Sequence, residues 1–164
     1  MRPINKIQIL IGVIGLSFGS LVYLVDRPPH QTYFVCSSRI DISLFSTIPN
    51  LFGNIGYNLP AFLHVFSFIL ITAGILSWQK KGLIIICLSW FSVDFAFELF
   101  QKFNTWPLKI VPDWFERIPF LENTAHHFRQ GTFDGLDLAA IAFGTAIGYW
   151  VLLVTNKAER RVVS

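Results

Sequence analysis

Charge is the first thing this sequence is short of. Asp, Glu, Lys and Arg make up 14% of its residues, where an ordinary soluble domain carries roughly a quarter. That shortage excludes a molecule wetted on every side. The formal net charge of +3 is small, and the basic residues fall in short separate segments, so no continuous basic face offers itself to nucleic acid. Cysteine is nearly absent as well. Cys36 and Cys87 are the two, neither lies in a C-x-x-C pair, and the topology derived below sends them toward opposite faces of a bilayer. This excludes a disulfide between them and gives redox chemistry no support. Tyr33, Phe34 and Val35 precede Cys36, which is not the small-residue context of a lipoprotein cleavage site. The chain has no H-E-x-x-H and no G-x-S-x-G, no internal repeat and no low-complexity linker. Nothing in it implies a cofactor or a metal.

Apolar residues are abundant: 53% of the 164 residues are hydrophobic, and 17 are Phe. They gather into four runs, at about 7–25, 59–78, 83–100 and 138–155. Each is long enough to cross a hydrocarbon core, which takes about 20 residues. The first run is too long for a signal peptide and no A-x-A site follows it, so it counts as a span. Asp26-Arg27-Pro28-Pro29 stops it, and Pro60 suits the first turn of the second. Gln79-Lys80-Lys81-Gly82 joins the second and third runs tightly, as in a helical hairpin. Positions 42–52 and 113–118 hold room for short interfacial pieces, the latter with Trp114 and Phe115 at headgroup level. The expected fold is a single all-α domain over 1–164, a polytopic membrane protein built as a four-transmembrane-helix bundle with two extracytoplasmic loops.

Orientation follows from the basic residues. Arg2 and Lys6, then Lys80 and Lys81, then Lys157, Arg160 and Arg161 mark three segments that alternate with the two long loops. Basic residues without matching acids mark the cytoplasmic side. The N- and C-termini and the short hairpin loop are therefore expected in the cytoplasm. The setting is the plasma (inner) membrane, with the lipid bilayer as surroundings.

Small residues suggest how the helices meet. Gly15 and Gly19 form a G-x-x-x-G, and Ala140, Gly144 and Gly148 form a stripe in the fourth run. Such stripes let backbones approach closely. They serve packing within one bundle or an interface between copies.

Ionisable side chains are costly inside a span, by about 2.5–3.5 kcal/mol at its centre, yet several occur at matching depths. At about 1.5 Å per residue, Asp94 lies roughly 9 Å and Glu98 roughly 3 Å inside the outer end of the third run, and His64 roughly 7–8 Å inside that of the second. Asp94, Glu98 and Gln101 share one helical stripe. Asp134 and Asp137 stand at the outer start of the fourth run, on the face of Ala140, Gly144 and Gly148, with Arg129 shortly before. The expected polar pocket thus comprises His64, Asp94, Glu98, Gln101, Arg129, Asp134 and Asp137. Each residue also has a plainer explanation. His64 alone reads as a satisfied interior histidine, Asp134 and Asp137 as helix caps, and His126-His127 as a loop pair rather than a metal site. A purely structural network stays open beside a working site.

Several of these residues fall in a familiar order. Glu98-Leu99-Phe100-Gln101, then Gly131-Thr132-Phe133-Asp134-Gly135-Leu136-Asp137, then Gly144 and Gly148, resemble the VanZ-like membrane proteins. That family shows an E-x-x-Q ending its third helix, then an arginine, an aspartate and two glycines four apart, and a histidine near the start of its second helix, where His64 stands here. Pro60 and Ala61 replace an Asp-Lys pair often found ahead of that histidine, Ile141 replaces an Asn, and Gly131 occupies the arginine spacing, leaving Arg129 to substitute from a shifted position. The resemblance implies a four-helix membrane fold in the cell envelope. Three functions are then in play. The outward pocket could bind a polar or phosphorylated lipid headgroup, such as that of a lipid-linked envelope precursor, with Arg129 on the anion. The chain could be an accessory subunit of a larger membrane protein complex. Or it could be a membrane-embedded hydrolase or transferase using its His, Asp and Glu residues.

Overall fold

The computed structural model describes residues 4–28, 43–45, 47, 51–76, 79–103, 105, 107–118 and 121–163. Cys36 and most of the expected piece at 42–52 lie outside them. In chain order the helices are α1 (Lys6–Asp26), α2 (Ile55–Leu76), α3 (Lys80–Lys102), the short α4 (Pro107–Ile110) and α5 (Thr124–Gln130), and α6 (Gly135–Val163). Two 3₁₀ turns, Asp113–Arg117 and Leu121–Asn123, separate α4 from α5, and no strand occurs among the described residues. Four helices are long and apolar enough to cross a membrane: α1, α2, α3 and the Gly135–Lys157 part of α6. The protein is a multi-pass, all-helical membrane bundle.

Local chemistry sets the helix ends. Asn5 caps α1, its side chain accepting a hydrogen bond from the Gln8 amide at 3.2 Å. Arg27 is extended and Pro28 follows, so α1 goes no further. Helix α2 begins four residues before the expected position 59. The cause is distant in sequence: the Asp26 carboxylate accepts from the amides of Leu51 (2.9 Å) and Phe52 (3.0 Å). Gly53 then takes a left-handed φ of 54°, and the Gly56 amide closes on the Gly53 carbonyl. Pro60 therefore stands in the second helical turn rather than the first. The stretch 113–118 holds the first 3₁₀ turn, Asp113–Arg117, while α5 leaves no mark in the sequence, since Thr124–Gln130 carries too short an apolar pattern to announce a helix.

Helix α2 is the centre of the bundle. It packs on α1 and α6 and more lightly on α3, while α3 leans on α6. Val65, Ile69, Leu70 and Ala73 of α2 meet Leu83, Ile86 and Cys87 of α3 and Ile141 and Leu152 of α6 in the core. In lipid, apolar burial drives association little, so close backbone approach must supply the dispersion contact. Both small-residue stripes provide it against α2. A methyl on Gly12 would lie 2.8 Å from the Ser67 carbonyl oxygen, one on Gly15 2.6 Å from Ser67 Oγ, and one on Gly144 2.6 Å from the Phe62 carbonyl oxygen. Gly19 and Gly148 stand slightly looser, facing Leu63 and Ile69 at 3.4 Å, and Ala140 is half-buried. Large apolar side chains cover the outside instead, among them Ile7, Leu10 and Ile14 of α1 and Ile85 and Leu88 of α3.

Candidate polar site at the long-loop end

Successive spanning helices run in opposite directions. The last turns of α1 and α3 and the first turns of α2 and α6 thus share the end of the bundle that carries the long connections. Buried and half-buried polar side chains collect there in three linked groups.

The deepest is a pair. His64 Nδ1 lies 3.1 Å from Asp94 Oδ2 and 3.2 Å from Oδ1. The Asp94 side chain is only 9% exposed, whereas that of His64 is 49% exposed. Phe68 stands edge-on to the imidazole at 4.5 Å and stacks on Trp90 at 4.6 Å, and Trp90 Nε1 donates to Thr72 Oγ1 at 2.9 Å. The ring is thereby fixed on one side by a carboxylate and braced by aromatic packing. No described residue bonds to its Nε2.

The second group knits α2, α3 and α6. Glu98 Oε1 accepts from the Asp134 amide at 2.8 Å, and Gln101 Nε2 donates to Glu98 Oε2 at 3.4 Å. Asn58 Nδ2 donates to Asp134 Oδ2 (3.0 Å) and to Asp137 Oδ1 (2.8 Å). Asp134 Oδ1 also accepts from the Leu136 amide at 2.9 Å, capping the start of α6. The Leu136 amide and the Asn58 side chain hold the Asp134 carboxyl below the ordinary aspartate range, because both bond to its charged form.

The third group is the end of α1. Arg27 Nη2 donates to the Tyr57 carbonyl at 2.6 Å, and the guanidinium lies 4.7 Å above the Tyr23 ring. Arg27 Nε is buried without a partner among the described residues, beside a cavity of about 10 Å³ lined by Asp26, Arg27, Gly53, Gly56 and Tyr57.

Six of the seven expected pocket residues therefore stand at one end: His64, Asp94, Glu98, Gln101, Asp134 and Asp137. Arg129 does not join them. Helix α5 turns Phe128 inward against Phe97 (5.4 Å) and Phe100 (5.9 Å) of α3, which leaves the next residue, Arg129, exposed on the other side. Arg129 lines a separate cavity of about 160 Å³ with Asp113, Phe115, Glu116 and Glu122. The cation near the carboxylates is Arg27, and the amide that bridges two of them is Asn58. In the sequence Arg27 reads only as part of a helix stop. Its place four residues after Tyr23, one turn along the same face, was the available signal. No three His, Cys, Asp or Glu residues converge as metal ligands among the described residues; the side chains of His126 and His127 lie outside them.

A second polar cluster closes the opposite end, built from neutral side chains that no charge or motif marks in the sequence. Gln8 is 1% exposed, and its Nε2 donates to Thr155 Oγ1 (2.8 Å) and Asn156 Oδ1 (3.3 Å). The Asn5 amide donates to the Gly74 carbonyl at 2.9 Å. These neutral bonds tie α1 to α6 and α2. The chain matches no family model, no curated protein and no solved structure, so the VanZ-like resemblance rests on the short motifs quoted above.

Proposed function

We propose that the protein is a VanZ-like membrane protein of the cell envelope whose long-loop end faces outward and receives a polar or phosphorylated lipid headgroup at His64. Lys6, Lys80, Lys81 and Lys157 at the other end support a cytoplasmic position for that end, in a plasma membrane. One observation carries the reading. Along positions 59–74 of α2, the most buried helix, His64 is the one exposed residue. A histidine turned outward within a span is costly unless something polar meets it. With Nδ1 held by Asp94, Nε2 can accept from a hydroxyl when the ring is neutral, or donate to a phosphate oxygen when it is protonated. The bonds of Glu98, Asn58, Asp134 and Asp137 hold α2, α3 and α6 in register around it.

The test is lipid retention. Protein reconstituted in nanodiscs doped with a polyprenyl phosphate should keep that lipid through native mass spectrometry. His64→Leu should keep about tenfold less, the worth of one charge-assisted hydrogen bond. Equal retention by both proteins would remove His64 from the binding surface. The same pair also favours a second reading, as a hydrolase or transferase, since a carboxylate-held imidazole whose Nε2 has no partner among the described residues is the arrangement of a general base. Lipid turnover lost in both His64→Gln and Asp94→Asn would support that reading; turnover unaffected by either would end it.

A further inference from the structure

Where α1 ends beside the start of α2, one hydrogen-bond donor and one acceptor are left over. The acceptor is the carbonyl of Gly56, a buried residue. Pro60 stands inside α2 and has no N–H, so it cannot supply the amide that an α-helix offers to the carbonyl four residues before. The donor is Arg27 Nε. The guanidinium gives Nη2 to the Tyr57 carbonyl at 2.6 Å, while Nε is buried without a partner among the described residues. Buried polar atoms are rarely left so, because each forfeits its hydration.

Arg27 and Gly56 line the same cavity of about 10 Å³, together with Asp26, Gly53 and Tyr57. The Asp26 carboxylate adds acceptor capacity. Its two oxygens take one amide each, from Leu51 and Phe52, and each oxygen has a second lone pair. Gly56 contributes backbone alone, and a methyl there would lie 2.5 Å from Asp26 Oδ2, so carboxylate and backbone stand close together. The volume fits one water, which takes about 10–15 Å³, and excludes any organic group. The charges exclude an ion, since the guanidinium repels a cation and the carboxylate an anion.

We propose that this cavity binds one ordered water, which accepts from Arg27 Nε–H and donates to the Gly56 carbonyl and the Asp26 carboxylate. Three bonds are the usual number for a buried water. The water gives the carbonyl left over by Pro60 a donor again. It also fixes the guanidinium, already bonded to Tyr57 and set over the Tyr23 ring, in the joint between α1 and α2. The assignment does not depend on what His64 binds.

The experiment is water-selective NMR on isotope-labelled, full-length protein in detergent, in mildly acidic buffer to slow proton exchange. The Arg27 Nε–H should give a cross-peak to water with the same sign as the diagonal in a NOESY spectrum and the opposite sign in a ROESY spectrum. That pair of signs marks a long-lived bound water and separates it from both surface water and proton exchange. Pro60→Ala supplies the missing amide to the Gly56 carbonyl and so takes one partner from the water; the cross-peak should fall to about half or less. Alanine suits a helix interior better than proline, and a melting temperature at or above the parent's would show that the variant is folded. The absence of a cross-peak in the parent, the signs of surface water there, or a cross-peak of full strength in folded Pro60→Ala would overturn the proposal. The parent spectrum decides by itself if the variant does not fold.

Discussion

An alanine at Gly144 would set its methyl carbon 2.6 Å from the Phe62 carbonyl oxygen and 2.7 Å from Val65 Cγ1. Carbon–oxygen contacts between packed helices sit near 3.3–3.6 Å, so the overlap is roughly 0.7 Å or more. The Val65 side chain could shift, but the oxygen belongs to the backbone of α2 and cannot turn aside. The axes of α2 and α6 must therefore part by about that distance. A gap of 0.5–1 Å forfeits a quarter to a half of each contact's dispersion energy, and overpacking of this kind costs about 1–3 kcal/mol. One turn on, at Gly148, the same methyl would meet Ile69 at 3.4–3.7 Å, which is ordinary contact. There the change adds contact and helix propensity, so Gly148→Ala should be neutral or slightly stabilising. Thermal unfolding of the parent, Gly144→Ala and Gly148→Ala in one detergent would compare them. Gly144→Ala melting with the parent, or Gly148→Ala melting below Gly144→Ala, would refute the packing argument. On α1, Gly12→Ala should behave like the first and Gly19→Ala like the second, since Gly12 faces the Ser67 carbonyl and Gly19 only Leu63.

Three further outcomes are expected. Single cysteines at Lys80 and at Lys109 should differ toward a membrane-impermeant thiol reagent: the one at Lys109 should react in intact cells and the one at Lys80 only after permeabilisation, and the reverse pattern would invert the orientation. Asp94→Leu leaves a polar partner without its bond, at about 1–3 kcal/mol, and adding His64→Leu should cost less than its single effect; additive losses in a thermal double-mutant cycle would deny the coupling. The Asp134 carboxyl is held below its ordinary value, so its contribution to stability is complete above the unfolded aspartate pKa of about 3.9 and is lost as pH falls through the lower folded value. Melting temperature against pH should fall in that acid window and fall less steeply in Asp134→Asn; superimposable profiles would show that those bonds do not stabilise the fold.

The spans could be read from the sequence because hydrocarbon thickness imposes a length of apolar chain that few other contexts require. Their ends could not be fixed the same way. Helix α2 starts at Ile55 because Asp26, 25 residues before Leu51, supplies a carboxylate to its approach, and no local pattern records a bond of that reach. Depth arithmetic brings His64 level with Asp94, since both lie at similar distances from helix ends at one face. It works because 1.5 Å per residue holds throughout a straight helix. It gives no guidance between helices, where α5 turns Phe128 inward and Arg129 outward. Arg27 is hidden for a related reason: next to Pro28 it reads as punctuation, and its hydrogen bond to the Tyr57 carbonyl, beside Asn58, appears only when the end of α1 is set against the start of α2.

The two ends of the bundle solve the same mechanical problem with different chemistry. At the short-loop end, neutral amides and a hydroxyl tie α1 to α6 and α2, with Gln8 bonding Thr155 and Asn156 and the Asn5 amide bonding Gly74. Neutral groups fulfil that role at modest desolvation cost once they are bonded. At the long-loop end, Asp26, Asp94, Glu98, Asp134 and Asp137 stand near Arg27 and His64. Buried charge is far more expensive to desolvate, and well-packed neutral groups hold helices at least as firmly. Joining helices therefore does not require carboxylates in such number. It requires still less a histidine that meets its carboxylate through Nδ1 while its side chain stays 49% exposed. The surplus of charge, and the exposure of His64, are the features on which the proposed binding surface rests rather than a clamp alone. A variant that keeps the clamp and removes only that nitrogen, such as His64→Asn with its short amide still able to reach toward Asp94, separates the two in one measurement: unchanged melting with lost lipid retention identifies the surface, and lost melting with unchanged retention identifies the clamp.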